Sequence, residues 1–283
     1  MPEPLRFRRY RHDRIPNMSS RVGAPGLVVN RYRWQASPVS RPLVLCYHAA
    51  SDSWEHTLSV RPSALEVQLE TILGGGYRPV TASEVVSGSG KLVHVTFDDA
   101  FTSVLAAVPV LERLGVPATV FACTGYADDP RPLGIPELAD EVRAHAEELR
   151  TMSWAELRRL EERGIAVESH TVSHPHLPAL SDDELAVELT AAKRRLEEEL
   201  GRPCRFLAYP FGDCDDRIRA AARDAGYEAA FGLPGDPSGR DRFDVFRVGV
   251  WRRDSPRKLA LKARPSVRSP LAIRVRRALG LTD

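Results

Sequence analysis

The sequence predicts a parallel α/β fold, on two observations. Short apolar runs of strand type alternate with stretches of helical period through the whole middle of the chain, the order that builds a parallel sheet covered by helices. The polar residues with chemical potential, His48, Asp98-Asp99, His170 and Tyr209-Pro210, fall at the carboxyl ends of those runs. In barrels wound this way the carboxyl-terminal face carries the chemistry.

Residues 1–41 are rich in Arg, Pro and Ser without a clean period and read as an irregular basic arm. Order begins with the apolar run 43–48, of strand type. Leu65, Leu69, Ile72 and Leu73 recur at helical spacing in 62–73, and the glycines at 74–76 stop that helix. After a short helical piece at 82–86, the strand 92–97 runs directly into Asp98-Asp99. A helix over 104–114, ended by Gly115, leads to a strand at 118–122. Residues 126–150 look like an insertion, a Pro-rich loop followed by an acidic helical stretch. Ser153 with Glu156 three residues on is a capping box for a helix over 153–163, and the strand 165–169 then ends on His170. Ser181 and Glu184 cap a long helix to 200, whose stripe Leu185, Leu189, Ala192 and Leu196 is core packing. The strand 206–209 stops at Pro210, a helix covers 216–225, and two short strands follow at 229–231 and 245–250.

Of the 283 residues 43% are hydrophobic and 28% charged, the composition of an ordinary soluble globular protein. The net charge of +2 is too small to imply a polyanionic partner for the whole molecule. Cys46, Cys123, Cys204 and Cys214 form no CxxC pair and read as free thiols in a reducing compartment. No apolar run approaches the roughly 18 residues of a membrane span, and the N-terminus lacks a signal-peptide core, so the expected location is cytoplasmic.

Two adjacent carboxylates at a strand end repel each other if both are buried and ionised, so Asp98-Asp99 calls for positive charge, unless the pair is only a cap or turn. His170 and His174 stand at i and i+4. On a helical turn both imidazoles reach one ion; the plain alternative is two surface histidines. His176 reads as a neighbour rather than a ligand. Two imidazole nitrogens and one carboxylate oxygen leave open positions on a divalent ion, the pattern of a catalytic site, and free the other carboxylate to act as a base on water. In Ala208-Tyr209-Pro210-Phe211-Gly212, Pro210 fixes the backbone and Gly212 permits a tight turn that can aim an N–H at an oxyanion, or simply join a strand to a helix.

Thr96-Phe97-Asp98-Asp99, His170-Thr171-Val172-Ser173-His174 and Tyr209-Pro210-Phe211-Gly212, in this order, resemble the polysaccharide deacetylases of the NodB-homology type, carbohydrate esterase family four. Cys46-Tyr47-His48 and Gly76-Tyr77-Arg78-Pro79-Val80 are similar to one branch of that family, and the resemblance covers residues 42–255. It implies a distorted (β/α) barrel of about seven strands and metal-dependent removal of N-acetyl groups from an amino sugar. By position, Asp98 is the expected base. Asp99, His170 and His174 are the expected ligands of the metal, Zn2+ by preference. The Tyr209 N–H is the expected oxyanion donor, and Thr171 is expected to orient the histidine segment. Three departures matter. Ala100 replaces a common glycine. Ala208 stands where many members have an arginine, so Arg247 is expected to supply the positive charge beside Asp98. No histidine follows His176, which leaves His48, another group or water to protonate the leaving amine.

Two other readings stay open, an O-deacetylase using the same site and a catalytically silent carbohydrate-binding or scaffold protein. The expected partner is an N-acetylated amino-sugar substrate, with no nucleic acid, although Phe7 and Tyr10 lie among arginines in the arm. Residues 256–283 form a basic tail, with eight Lys and Arg from Arg257 to Arg277 and no acid between Asp254 and Asp283. Leu271, Val275, Ala278 and Leu279 fall on one helical face near Arg274, Arg276 and Arg277, which suits peripheral contact with an anionic membrane or docking on the protein's own body.

Overall fold

The computed structural model describes residues 41–273 apart from 237, 239, 240 and 270. The expected arm before Arg41, and Val275, Ala278 and Leu279 of the tail, lie outside the described residues. Among the described residues seven strands run around one axis: β1 (Leu43–Tyr47), β2 (Leu92–Phe97), β3 (Ala118–Ala122), β4 (Ala166–Ser169), β5 (Phe206–Ala208), β6 (Ala229–Asp236) and β7 (Val248–Gly249), with the short strand Arg78–Pro79 pairing off this path onto β2. Their order is β7-β1-β2-β3-β4-β5-β6, and every neighbouring pair is parallel. A parallel bridge from Phe231 to Val245, just ahead of β7, brings the two ends together. The result is a nearly closed (β/α) barrel, as expected.

Side chains alternate in and out along each strand. Leu43, Leu45 and Tyr47 on β1, Val93, Val95 and Phe97 on β2, and Val120 on β3 join the main core under the helices. The intervening Val44, Phe121, Phe206, Ala208, Ala229 and Phe231 form a second cluster inside the barrel. The same alternation places Cys46 and His48 of the β1 line, and His94, Thr96 and Asp98 of the β2 line, on the inner face.

The helices that matter to the site are α1 (Pro62–Gly74), α2 (Val108–Leu114), α3 (Trp154–Glu162), α4 (Asp182–Leu200), α5 (Asp216–Asp224) and α6 (Pro256–Lys262). Both expected capping boxes, Ser153 with Glu156 and Ser181 with Glu184, are formed, and the α4 stripe is buried. The expected helix over 104–114 is divided into a 3-10 segment, Thr102–Ala107, and α2, because Pro109 has no N–H to continue an α-helical ladder. The insertion contributes Leu133, Leu138 and Leu149, which pack on Trp54 and Phe101 beside the end of β2.

α6, the start of the expected tail, packs on α1. Beyond it, the buried Arg268 donates to the carbonyls of Ala263, Pro42 and Arg41 at 2.9, 2.8 and 3.1 Å, tying the chain after α6 to the entry of β1. All four cysteines are free, with Cys46, Cys123 and Cys204 buried.

Candidate active site

Asp98 is the first residue beyond β2 and points into the barrel. Arg247, with no exposed surface, meets it in a fork: Nη1 lies 2.7 Å from Oδ1 and Nη2 2.8 Å from Oδ2. The guanidinium also donates to the Gly232 carbonyl at 2.9 Å and the Thr96 hydroxyl at 3.2 Å, and it lies over the Phe121 ring. Burial works to raise the Asp98 carboxyl, but the guanidinium overrides it and holds the group below its ordinary range. The Cys46 thiol adds a weak donor 3.5 Å from Oδ2, and burial pushes that thiol well up, so it keeps its proton.

Asp99 faces elsewhere. It and Ala100 both have left-handed backbones, φ 70° and 52°, and this sharp turn makes consecutive carboxylates diverge. Each such residue costs about 1–2 kcal/mol when it is not glycine. Asp99 Oδ1 lies 3.4 Å from His170 Nε2 and 3.2 Å from His174 Nε2, with all three side chains almost fully buried. His170 Nδ1 is 2.8 Å from the Ala208 carbonyl, a contact that requires the proton on Nδ1 and leaves the lone pair of a neutral ring on Nε2.

The donor set fits a divalent cation. Asp99 Oδ1 is buried without a hydrogen-bond partner, facing an imidazole lone pair, which is repulsive unless positive charge lies between them. Donor atoms sharing one tetrahedral ion at about 2.1 Å stand roughly 3.4 Å apart, close to the separations here. Burial opposes the charged forms of both groups, yet the contact with Asp99 raises His170, and protonated His170 and His174 would in turn draw Asp99 well below the carboxylate range.

The two histidines converge by a different route from the one expected. Residues 170–174 form no helical turn: they are a loop in which Thr171 and His174 are left-handed, at φ 71° and 60°. The Glu188 carboxylate of α4 shapes it, accepting the N–H groups of Val172 and Ser173 at 2.8 and 3.0 Å and the Ser173 hydroxyl at 2.6 Å. The Thr171 hydroxyl accepts the His174 N–H at 3.2 Å. A carboxylate that satisfies three loop donors replaces the hydrogen bonds a helix would have made.

Tyr209 also departs from expectation. Its N–H donates to the Phe231 carbonyl at 3.1 Å, because the β5–β6 pairing extends this far, so it is not a free oxyanion donor. Its hydroxyl is tied to the Phe243 carbonyl at 2.8 Å. The next turn presents Phe211, 40% exposed, with its ring edge against His174 at 4.6 Å. His176 is exposed, stacks on Phe211 and lies 3.1 Å from Asp213, outside the Asp99–His170–His174 group. His48 is partly exposed at the end of β1, with a ring nitrogen within 4.8 Å of an Asp98 oxygen and of the Cys46 sulfur. Glu188, the Trp251 indole stacked beside His48 and the Cys46 thiol at Asp98 escaped sequence reasoning: Glu188 looks like any polar residue beside an apolar stripe, and the others depend on pairing between distant strands.

Known proteins place this arrangement. A family model described as polysaccharide deacetylase matches residues 86–230. The putative polysaccharide deacetylase YxkH of Bacillus subtilis is 24% identical over 217 residues, covering 73% of this chain and 70% of its own. Among solved structures, the Streptococcus pyogenes deacetylase PplD in complex with acetate superposes with a TM-score of 0.66 at 22% identity, covering 80% of this chain and all of that one. IcaB from Ammonifex degensii gives 0.62 at 25% identity, over 79% of this chain and 97% of its own. The matched segment takes in both aspartates, both histidines and the Tyr209 turn, so this barrel, with its site at the carboxyl ends of its strands, belongs to the polysaccharide deacetylase family.

Proposed function

We propose that the chain is a metal-dependent hydrolase that removes N-acetyl groups from an amino sugar in an oligo- or polysaccharide or glycoconjugate. Asp99, His170 and His174 would hold the metal, zinc by preference. The observation that carries this reading is the orphaned Asp99 Oδ1 between two imidazole nitrogens. A divalent ion there would supply Lewis acidity toward the acetamide carbonyl.

The remaining work falls to the protein's own groups. Asp98, kept ionised and fixed by Arg247, takes a proton from water as the water oxygen attacks the carbonyl carbon. As the C–N bond breaks, the amine nitrogen needs a proton, and His48 is the group proposed to give it: it borders the Asp98 cluster and is partly open to the surface. The products are acetate and a free amine on the sugar. The basic C-terminal segment, where Leu271 is 73% exposed, is proposed to lie against an anionic membrane surface.

The test is acetate release from N-acetylglucosamine and its short oligomers, using metal-stripped protein with and without added zinc. Release should require the metal. Asp98→Asn should lower kcat by about 10²–10⁴-fold while keeping its zinc, and near wild-type turnover by that variant would sink the base assignment. Faster hydrolysis of sugar acetate esters than of the amides would favour the O-deacetylase reading. Sugar binding without acetate release from any substrate would favour the silent one.

A further inference from the structure

A reacting imidazole is ordinarily aimed by a hydrogen bond at its other nitrogen. His48 lacks such a bond: its Nδ1 is buried and without a partner. What lies against the ring is the Trp251 indole, 5.7 Å away between centroids and inclined by 23°. Strand register creates this contact. Cys46 stands opposite Gly249 in the parallel β1–β7 pair, and two residues further along each chain His48 meets Trp251.

The backbone that carries the indole is itself held in a bracket. The Trp251 backbone N–H donates to Asp254 Oδ2 at 3.0 Å, and the Asp254 backbone N–H returns to the Trp251 carbonyl at 2.9 Å. Lys262 of α6 donates to the same Oδ2 at 2.8 Å and to the Gly249 carbonyl at 3.1 Å. Asp254 and Lys262 are both buried. A Cβ at position 249 would stand 2.5 Å from indole Cζ2, so glycine is what lets the ring lie against β7. Gln68 of α1 closes the circuit, donating to the Asp254 carbonyl at 2.7 Å and accepting from the hydroxyl of Tyr47, the residue before His48, at 3.2 Å. The indole Nε1–H is buried and unpartnered, so the bracket fixes the backbone that carries the ring, and the ring meets His48 through its flat face rather than through a hydrogen bond.

We infer that Trp251 is a positioning residue: its indole sets the plane of the His48 imidazole so that the imidazole proton reaches the leaving amine, with Asp254 and Lys262 as the frame. The inference rests on the proposed role of His48, and a comparison of two leaving groups separates them. An N-acetylglucosamine oligomer must have its amine protonated, whereas 4-nitrophenyl acetate releases a stable anion that needs no proton. On the amide, His48→Gln should lower kcat by about 100-fold and Trp251→Leu by about 10-fold, with KM unchanged. The double variant should be no slower than His48→Gln alone, since the two residues act as one unit. Trp251→Phe, which keeps a flat ring and removes the N–H, should stay within about threefold of wild type, and the ester rates of all four should move less than about threefold. Multiplicative losses in the double variant, equal losses on both substrates, or a Trp251→Phe variant as slow as Trp251→Leu would overturn the inference. If His48→Gln hydrolyses the amide at the wild-type rate, the proton-donor reading has failed; if it is slow while Trp251→Leu is normal, only the Trp251 inference has. A crystal structure of Trp251→Leu gives a readout independent of activity: more than one His48 rotamer is expected, and a single unchanged one would overturn the proposal.

Discussion

Arg247 carries a full charge with none of its surface exposed, and the carboxylate that balances it is the proposed base. Removing one partner of such a pair leaves the other buried and uncompensated, at a cost of about 3–5 kcal/mol. Arg247→Met, similar in length, should lose that much stability in urea titrations and most of its activity; a loss below about 1 kcal/mol would show that the pair does not stabilise the barrel. Arg247→Lys should fare little better, because a point charge cannot span both carboxylate oxygens together with Thr96 and Gly232. His94, deeper in the barrel, gives a pH signature. Its Nδ1 lies 2.7 Å from the Val80 carbonyl and its Nε2 3.0 Å from the Thr119 hydroxyl, a pair of contacts that suits the neutral ring. Burial lowers its pKa from 6.5 to about 4. Between those values the unfolded chain binds more protons than the folded one, so stability falls as pH falls. The wild type should lose about 2 kcal/mol from this group between pH 7 and pH 5. His94→Gln, less stable at pH 7, should show a correspondingly shallower dependence, and equal pH slopes for the two proteins would refute the assignment.

The histidine loop shows what an element contributes. Its backbone is strained at Thr171 and His174, and the Glu188 carboxylate on α4 compensates by accepting three donors. Groups that orient metal ligands typically change affinity by about 10–100-fold when removed. Glu188→Ala should weaken zinc binding by about that factor in competition with a chromogenic chelator, with far-UV circular dichroism unchanged. Wild-type affinity would mean that the loop holds its shape without α4. Elements were legible where local signals agree. The capping boxes at Ser153 and Ser181, the α4 stripe and the apolar strand runs stand where the sequence places them. The histidine segment is a loop and not the expected helical turn, because i, i+4 spacing fits both and the acid that decides between them, Glu188, lies on another element.

At the scale of the molecule, the closure of the barrel makes the site. It brings the β6–β7 connection, with Arg247, against β2, and the end of β1 against Trp251. The segment following β7 is part of this frame as far as Arg268, which clasps the entry of β1. Removing residues 274–283 should therefore leave the melting temperature within about 2 °C, since it deletes none of these contacts. If the basic tail meets a membrane, the full chain should float with vesicles containing anionic lipid and the trimmed chain should not, whereas equal behaviour would rule the contact out. Among the described residues no helix is long and apolar enough to cross a membrane.

The sequence by itself determined the parallel alternation of strand and helix, and it marked Asp98, Asp99, His170 and His174 as one chemical group, because strand periodicity and short motifs are local properties of the chain. Arg247 could be named only as the answer to a charge that had to be balanced. Tertiary structure decided the rest. The fork on Asp98, the commitment of the Tyr209 N–H to Phe231, the support of Glu188 and the stacking of Trp251 on His48 arise where segments far apart in sequence become neighbours in space. Strand register and burial set such contacts, and neither is written in any single stretch of residues.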